Sequence, residues 1–342
     1  ELGNFLGSIY TTLTEVFPAI IVIPGETAHF IASAAQKYLT DDPLVLVDRI
    51  RERDLPTKYV RDYYLLFRMS QERLYFMREQ IKNFTPGAIN RDFQPIGYFY
   101  DIVLWDTYFR TGFKKFFQFL SRFKIKHVLL FLSVALFTSI LLSFKFRKSD
   151  RLLTSGISAT LAIVGFTEIS LEVMIILIFQ ILYGYAFYQL AFIITCYMIG
   201  LSIGSIISTN RLERFKNHIN ILRMLQLSIL LLPAVIMGVS YLYTSFQEIP
   251  GGIFRQIFPL FAGVAGFIGG FQFPVSVHLS QRVGVSVGKT AGRLYSIDLT
   301  GSFAGALLVS SVFIPLFGIP NTILLLMLLN SIPFAMIMIY KK

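Results

Sequence analysis

Gly165–Tyr185 reads GFTEISLEVMIILIFQILYGY, apolar enough to cross a bilayer yet carrying Glu168, Glu172 and Gln180. A helix needs about 20 mainly apolar residues to span the hydrocarbon core. An ionised carboxylate inside that core costs about 3 kcal/mol or more. On a helix, Glu168 and Glu172 stand about 40° apart on one face. That face is expected to look at protein or water and away from lipid. The stretch therefore predicts a polytopic helical membrane protein and marks an intramembrane polar site.

The totals agree. Hydrophobic residues make up 54% of the 342, with 34 Phe, and the mean hydropathy is +0.63. A soluble chain of this length is rarely so apolar. Residues 1–126 hold 17 Lys and Arg against 14 Asp and Glu, whereas residues 127–342 hold 14 against 6. The basic excess lies mostly in short loops beside apolar runs, the positive-inside pattern. The expected partner is thus a lipid bilayer, and nucleic acid is set aside. Cys196 is the only cysteine, so an intrachain disulfide and a thiolate metal cluster are excluded, and a packing role is expected for it.

Seven spans are expected: His127–Phe144, Leu152–Leu182, Tyr185–Ile207, Ile219–Tyr243, Ile257–Ser280, Leu294–Leu316 and Thr322–Tyr340. Lys145–Lys148, Arg211/Arg214/Lys216, Arg282/Lys289/Arg293 and Lys341-Lys342 mark one side; Tyr183-Gly184, Thr244–Phe254 and Phe317–Pro320, free of cations, mark the other. The cationic side, with the C-terminus, is expected in the cytoplasm, in a prokaryotic inner membrane. One conflict stands. A full first span places residues 1–120 outside, yet Lys114, Lys115, Arg122, Lys124 and Lys126 precede it. An interfacial or re-entrant first span reconciles the two. Gly200/Gly204, Gly266/Gly270 and Gly301/Gly305 are small-xxx-small pairs that let helix backbones approach. Gly263–Pro274 (GVAGFIGGFQFP) is the most helix-hostile stretch. Tight packing with a proline kink is the preferred reading there, a broken helix of transporter type the other.

Residues 1–126 read differently. Ser8–Glu15 is a short helical pattern. Ala19–Ile23 and Ala28–Ala32, around Pro24-Gly25-Glu26, read as a hairpin. Asp41–Asp54 and the longer Tyr59–Ile81 are amphipathic helix candidates, and Asn83–Asn90 is a turn-rich break. From Tyr98 to Lys126 aromatic residues alternate with cations, which suits a membrane surface. The expected organisation is the end of an α/β domain over 1–40, a helical junction at the membrane surface over 41–126, and a transmembrane domain over 127–342.

These stretches carry a resemblance. Ser8–Leu13 (SIYTTL), Val16-Phe17-Pro18, Ile23-Pro24-Gly25 and Phe30–Ser33 (FIAS) come first, then Asn90–Pro95 (NRDFQP) with Tyr98 and Trp105. Gly165-Phe166, Glu172, Gln180, Gly184-Tyr185 and Met198–Ser205 (MIGLSIGS) follow. Phe273-Pro274, Gly292–Tyr295 (GRLY), Asp298, Gly301-Ser302, Gly305, Ile314-Pro315 and Gly318 complete the set. In order and density they resemble the C-terminal portion of membrane-embedded spermidine synthase-like proteins. The resemblance implies an α/β methyltransferase-like (Rossmann-like) domain whose end precedes the membrane helices. It also implies an aminopropyl transfer, from decarboxylated S-adenosylmethionine as co-substrate of a complete protein, to an amine such as putrescine. The glycine-rich donor loop and the acid that deprotonates the amine would lie upstream of Ser8. No catalytic residue and no cofactor is therefore assigned within these 342 residues, and this chain alone is expected to be inactive. The implied partner is the N-terminal part of the same protein or a subunit carrying it.

The candidate intramembrane polar site comprises Glu168, Glu172, Gln180, His278 and Asp298. Glu168 and Glu172 could hold a proton, a cation or an amine, or be structural acids paired with Arg293 or His278. His278 lacks a nearby His or Cys, so packing is preferred over metal ligation. Asp298 could pair with Arg293 or cap a helix. Two rivals to the synthase-like reading are a transporter-like module for a cationic substrate and a structural subunit of a membrane complex that binds partners through its glycine faces.

Overall fold

The computed structural model describes residues 2–84, 89–109, 112, 114–184, 187–245, 251–281 and 286–341. Residues 85–88 of the turn-rich break, Tyr185 at the start of the third expected span, residues 246–250 and Arg282 lie outside the described residues. The chain forms two units, Glu1–Gln118 and Phe119–Lys342.

In the first unit α1 (Leu2–Thr14) leads into the hairpin of β1 (Ala19–Ile23) and β2 (His29–Ser33). The strands pair antiparallel with Ala19 opposite Ser33, Ile21 opposite Ile31 and Ile23 opposite His29. Among the described residues this is the one sheet, so the α/β domain rests on the resemblance alone. Asp42 starts α2 (Pro43–Glu52): its Oδ1 accepts from Leu44 N at 2.9 Å, and Pro43 supplies the fixed φ of a first helical position. The single helix expected over Tyr59–Ile81 is two, α3 (Asp62–Arg68) and α4 (Gln71–Lys82). Met69 leaves helical geometry (φ −103°, ψ 31°), and Ser70 is extended at the N-cap position of α4. The break buries Met69 completely and aims Leu74 and Met77 inward. Phe84 closes over Gly7 of α1, where any Cβ would overlap its ring. The aromatic run forms α5 (Ile96–Phe109), followed by α6 (Lys114–Ser121).

The second unit is helical. It contains α7 (Ile125–Lys145), α8 (Asp150–Tyr183), α9 (Phe187–Arg211), α10 (His218–Ser245), α11 (Gly251–Ser280), α12 (Val287–Leu308) and α13 (Ile314–Ile339). Six stretches are long and apolar enough to cross a membrane. The last of them, Val287–Ile339, joins α12 to α13 through a π-helical turn, Val309–Phe313. At Gly318, φ 82° and ψ 163° leave the helix altogether, a conformation that glycine adopts without strain. The chain reverses there, so seven apolar rods stand in the unit. Leu130, Phe131, Phe137 and Leu141 of α7 are more than half exposed, as side chains facing lipid would be. More than half of the apolar stretch of α8 and of α11 is buried, against 6% of that of α7. The two central helices are therefore α8 and α11.

Glycines set how closely these rods approach. A Cβ on Gly200 would overlap the Gly263 carbonyl, and one on Gly204 the Phe267 carbonyl. Reciprocally, Gly266 meets the Tyr197 carbonyl and Gly270 the Leu201 carbonyl. The contact rises along both chains together, so α9 and α11 run parallel with backbones touching. The third pair packs on α8, Gly301 against Ala162 O and Gly305 against Phe166 O. The helix-hostile stretch Gly263–Pro274 thus lies in one continuous helix, with Gly263, Gly266 and Gly270 on the contact with α9 and Gly269 facing α8.

Antiparallel pairing closes the unit. On α10, Arg223 donates from Nε to Ile337 O (3.1 Å) and from Nη2 to Tyr340 O (2.9 Å). This cation covers the carbonyl end of α13. Lys341 N donates to Arg147 O at 2.9 Å, placing the end of α7 beside the end of α13. The 21 residues of α7 rise about 32 Å. It is a full-length rod, with Lys124 and Lys126 at the end opposite Lys145.

Candidate functional site

Glu168 projects from the middle of α8, one of the two most buried helices, toward α11. Space for its carboxylate exists because residue 269 is glycine: a Cβ there would fall on Glu168 Oε1. Tyr197 of α9 donates from Oη to Glu168 Oε2 at 3.1 Å. Oε1 accepts no hydrogen bond among the described residues, although Glu168 is only 6% exposed. Such an orphan acceptor typically costs 1–3 kcal/mol, more when charged. Three helices thus converge on one carboxyl with an unused oxygen.

One turn toward the cationic ends lies a chain of carboxamides. Gln272 Nε2 on α11 donates to Gln226 Oε1 on α10 (3.1 Å), and Gln226 Nε2 to Asn330 Oδ1 on α13 (3.1 Å). Asn330 Nδ2 donates to Thr167 Oγ1 (2.7 Å) on α8, the neighbour of Glu168, and Thr167 to Ile163 O (2.7 Å). Thr167, Gln226, Gln272 and Asn330 are all fully buried. The chain ends in a second orphan, Gln272 Oε1. Gln272 follows Gly269, the residue against which Glu168 lies, by three residues on α11. From helix positions, Tyr197, Gly269, Gln226 and Asn330 stand about 12–21 Å from the cationic ends of their helices, at mid-bilayer depth. Low dielectric makes each link of such a network strong and each gap costly. Asn330→Leu is expected to lower stability by about 1–3 kcal/mol. In a double-mutant cycle by thermal unfolding in detergent, Gln226→Leu should then cost less than it does alone. Strictly additive losses would contradict the network.

The expected site residues separate into two groups. Glu168 interacts electrostatically with Asp298 and Glu172, and Tyr197 with all three acids. Asp298 lies against Gly165 of α8, one turn before Glu168, together with the Ser302 hydroxyl. It is in mid-helix and caps nothing, and five residues of separation turn Arg293 to another face. Glu172 is half-buried. Neither acid of α8 pairs with Arg293 or His278; the partner of Glu168 is a tyrosine. No ion pair involves any of them among the described residues. Gln180 stands twelve residues along α8, about 18 Å away, where its main-chain carbonyl accepts from Gly184 N at 2.9 Å as the helix ends. His278 is exposed near the end of α11, its ring 4.4 Å from that of His218. It belongs to the surface. No group of three or more His, Cys, Asp or Glu suited to a metal occurs among the described residues.

Tyr197, Thr167, Gln226, Gln272 and Asn330 were not singled out from the sequence. A signal was available: Gln226, Gln272 and Asn330 are isolated carboxamides within apolar spans, and polar side chains there bind across helices. No protein-family model matches the chain, and no curated protein and no solved structure matches it.

Proposed function

We propose that this membrane domain binds a small organic cation at Glu168 and passes it across the bilayer. The observation that carries the reading is the buried, unpartnered Glu168 Oε1 at the meeting of α8, α9 and α11. A second orphan, Gln272 Oε1, belongs to the residue one turn along α11 from Gly269. An unused carboxyl oxygen at Glu168, with the carboxyls of Glu172 and Asp298 close enough to act on it, favours a guest rich in N–H donors. An ammonium group supplies charge and donors together. Tyr197 holds Oε2 in place and leaves Oε1 for that guest, while Glu172 and Asp298 raise the negative potential around it. The resemblance to membrane-embedded spermidine synthase-like proteins narrows the class to aliphatic amines. It also suggests that the helices anchor an aminopropyltransferase-like part at the membrane, and the positive-inside pattern favours an inner membrane with the cationic loops and C-terminus in the cytoplasm. The transfer itself is assigned to no residue of this chain.

Radiolabelled putrescine is the probe, with the chain reconstituted in liposomes under an outward-negative and an inward-negative potential. Uptake is expected with the interior negative and is expected to fall to background in Glu168→Gln. Absence of saturable uptake, or equal uptake by the variant, would overturn the proposal.

A further inference from the structure

We propose a second binding site, for a phosphate group, in the cavity where the start of α10 meets the ends of α11 and α13. This cavity of about 500 Å³ is lined by Lys216, Asn217, His218, Asn220, Arg223 and Lys341, with Ile219, Leu279 and Tyr340 as its less polar wall. Among the described residues no carboxylate lines it; that of Asp150 meets the hydroxyl of the lining Tyr340. Lys216 and Lys341 are exposed and make no ion pair among the described residues.

The hydrogen bonds around the cavity use up acceptors and leave donors. Asn217 Oδ1 accepts from Asn220 N (3.2 Å), capping the 28-residue α10. Asn220 Oδ1 accepts from Arg223 Nη1 (3.0 Å). Neither asparagine's amide nitrogen donates to a protein group among the described residues, so each keeps two N–H donors for a ligand. Arg223 contributes charge but is held by the carbonyls of α13. The cavity thus combines two free ammonium groups, two free carboxamide donors, a fixed guanidinium and the positive end of a long helix. Every one of these favours an anion with several acceptor oxygens. A phosphate offers them, whether in a lipid headgroup or free in solution. The place favours the headgroup, because the cavity sits at the cationic ends of the apolar rods, at the depth where phospholipid phosphates lie.

The purified full chain in detergent can be titrated with phosphatidylglycerol and phosphatidylcholine, with bound lipid counted by native mass spectrometry. Calorimetry with inorganic phosphate forms the second arm. Phosphatidylglycerol is expected to bind about tenfold more tightly than phosphatidylcholine, and the preference to vanish in Lys216→Gln with Lys341→Gln. Both lysines are exposed, so the variant should melt at the parental temperature. Lys289→Gln, exposed on α12 outside the cavity, should keep the preference. Saturable inorganic phosphate binding that is lost in the double variant, without a lipid preference, would assign the site to free phosphate. The proposal is overturned if neither ligand binds selectively, if selectivity survives the double variant, or if Lys289→Gln abolishes it equally.

Discussion

Gly200→Ala and Gly266→Ala are each expected to lower the unfolding free energy by about 2–4 kcal/mol, while Gly238→Ala and Gly288→Ala change it by less than about 1 kcal/mol. All four replace a helical hydrogen by a methyl, so intrinsic propensity acts alike on each and slightly favours alanine. The difference is what the methyl meets. At Gly200 it overlaps the Gly263 carbonyl and at Gly266 the Tyr197 carbonyl, whereas at Gly238 and Gly288 nothing lies within 4 Å. A backbone carbonyl cannot rotate aside. To admit the methyl, α9 and α11 must separate along their whole contact, forfeiting dispersion on both faces. They would also draw Tyr197 away from Glu168. In a hydrocarbon solvent no hydrophobic gain offsets the loss, since lipid is as apolar as the facing helix. Thermal unfolding of the four purified variants in one detergent tests this. Equal shifts for Gly200→Ala and Gly288→Ala would show that the close contact contributes nothing.

Gly269→Ala is expected to behave oppositely, keeping the fold and losing the site. Its methyl would fall on the Glu168 carboxyl, which is the far end of a flexible side chain and can swing away. The carboxyl then loses its seat against residue 269 and its bond from Tyr197, while the acid itself remains. Losing a charge-assisted contact weakens binding by about tenfold to a hundredfold. Putrescine uptake should fall accordingly, matching Glu168→Gln, with a melting temperature near the parent's. Uptake at the parental rate would place the cation path elsewhere. The pair of variants separates two causes: Glu168→Gln removes the charge and keeps the shape, Gly269→Ala keeps the charge and moves it.

Much of this architecture is legible in the residues. Hydropathy alone marks the apolar rods, because a helix in hydrocarbon must satisfy its backbone within itself, and that is a local property. Glu168 stands out for the same reason: a carboxylate among Ile, Leu and Phe demands an explanation. The reversals at Gly184 and Gly318 are likewise local, each needing a positive φ. Less legible is the division at Met69–Ser70. The periodicity from Tyr59 to Ile81 continues on paper, and only the burial of Met69, Leu74 and Met77 requires the break.

By itself, then, the sequence determined that the chain is a helical membrane protein, where most of its rods begin and end, and that an acid lies inside one of them. The tertiary structure alone decided what that acid faces. Tyr197 is 29 residues from Glu168, Gln272 46 from Gln226, and Asn330 163 from Thr167. Their meeting depends on the rotation and direction of five helices, whose approach the glycine contacts help to set. A small-xxx-small pair announces that a helix will be approached closely, but not by which neighbour or in which direction. Each pair is compatible with any apolar partner, and one partner is selected only when every rod is packed at once.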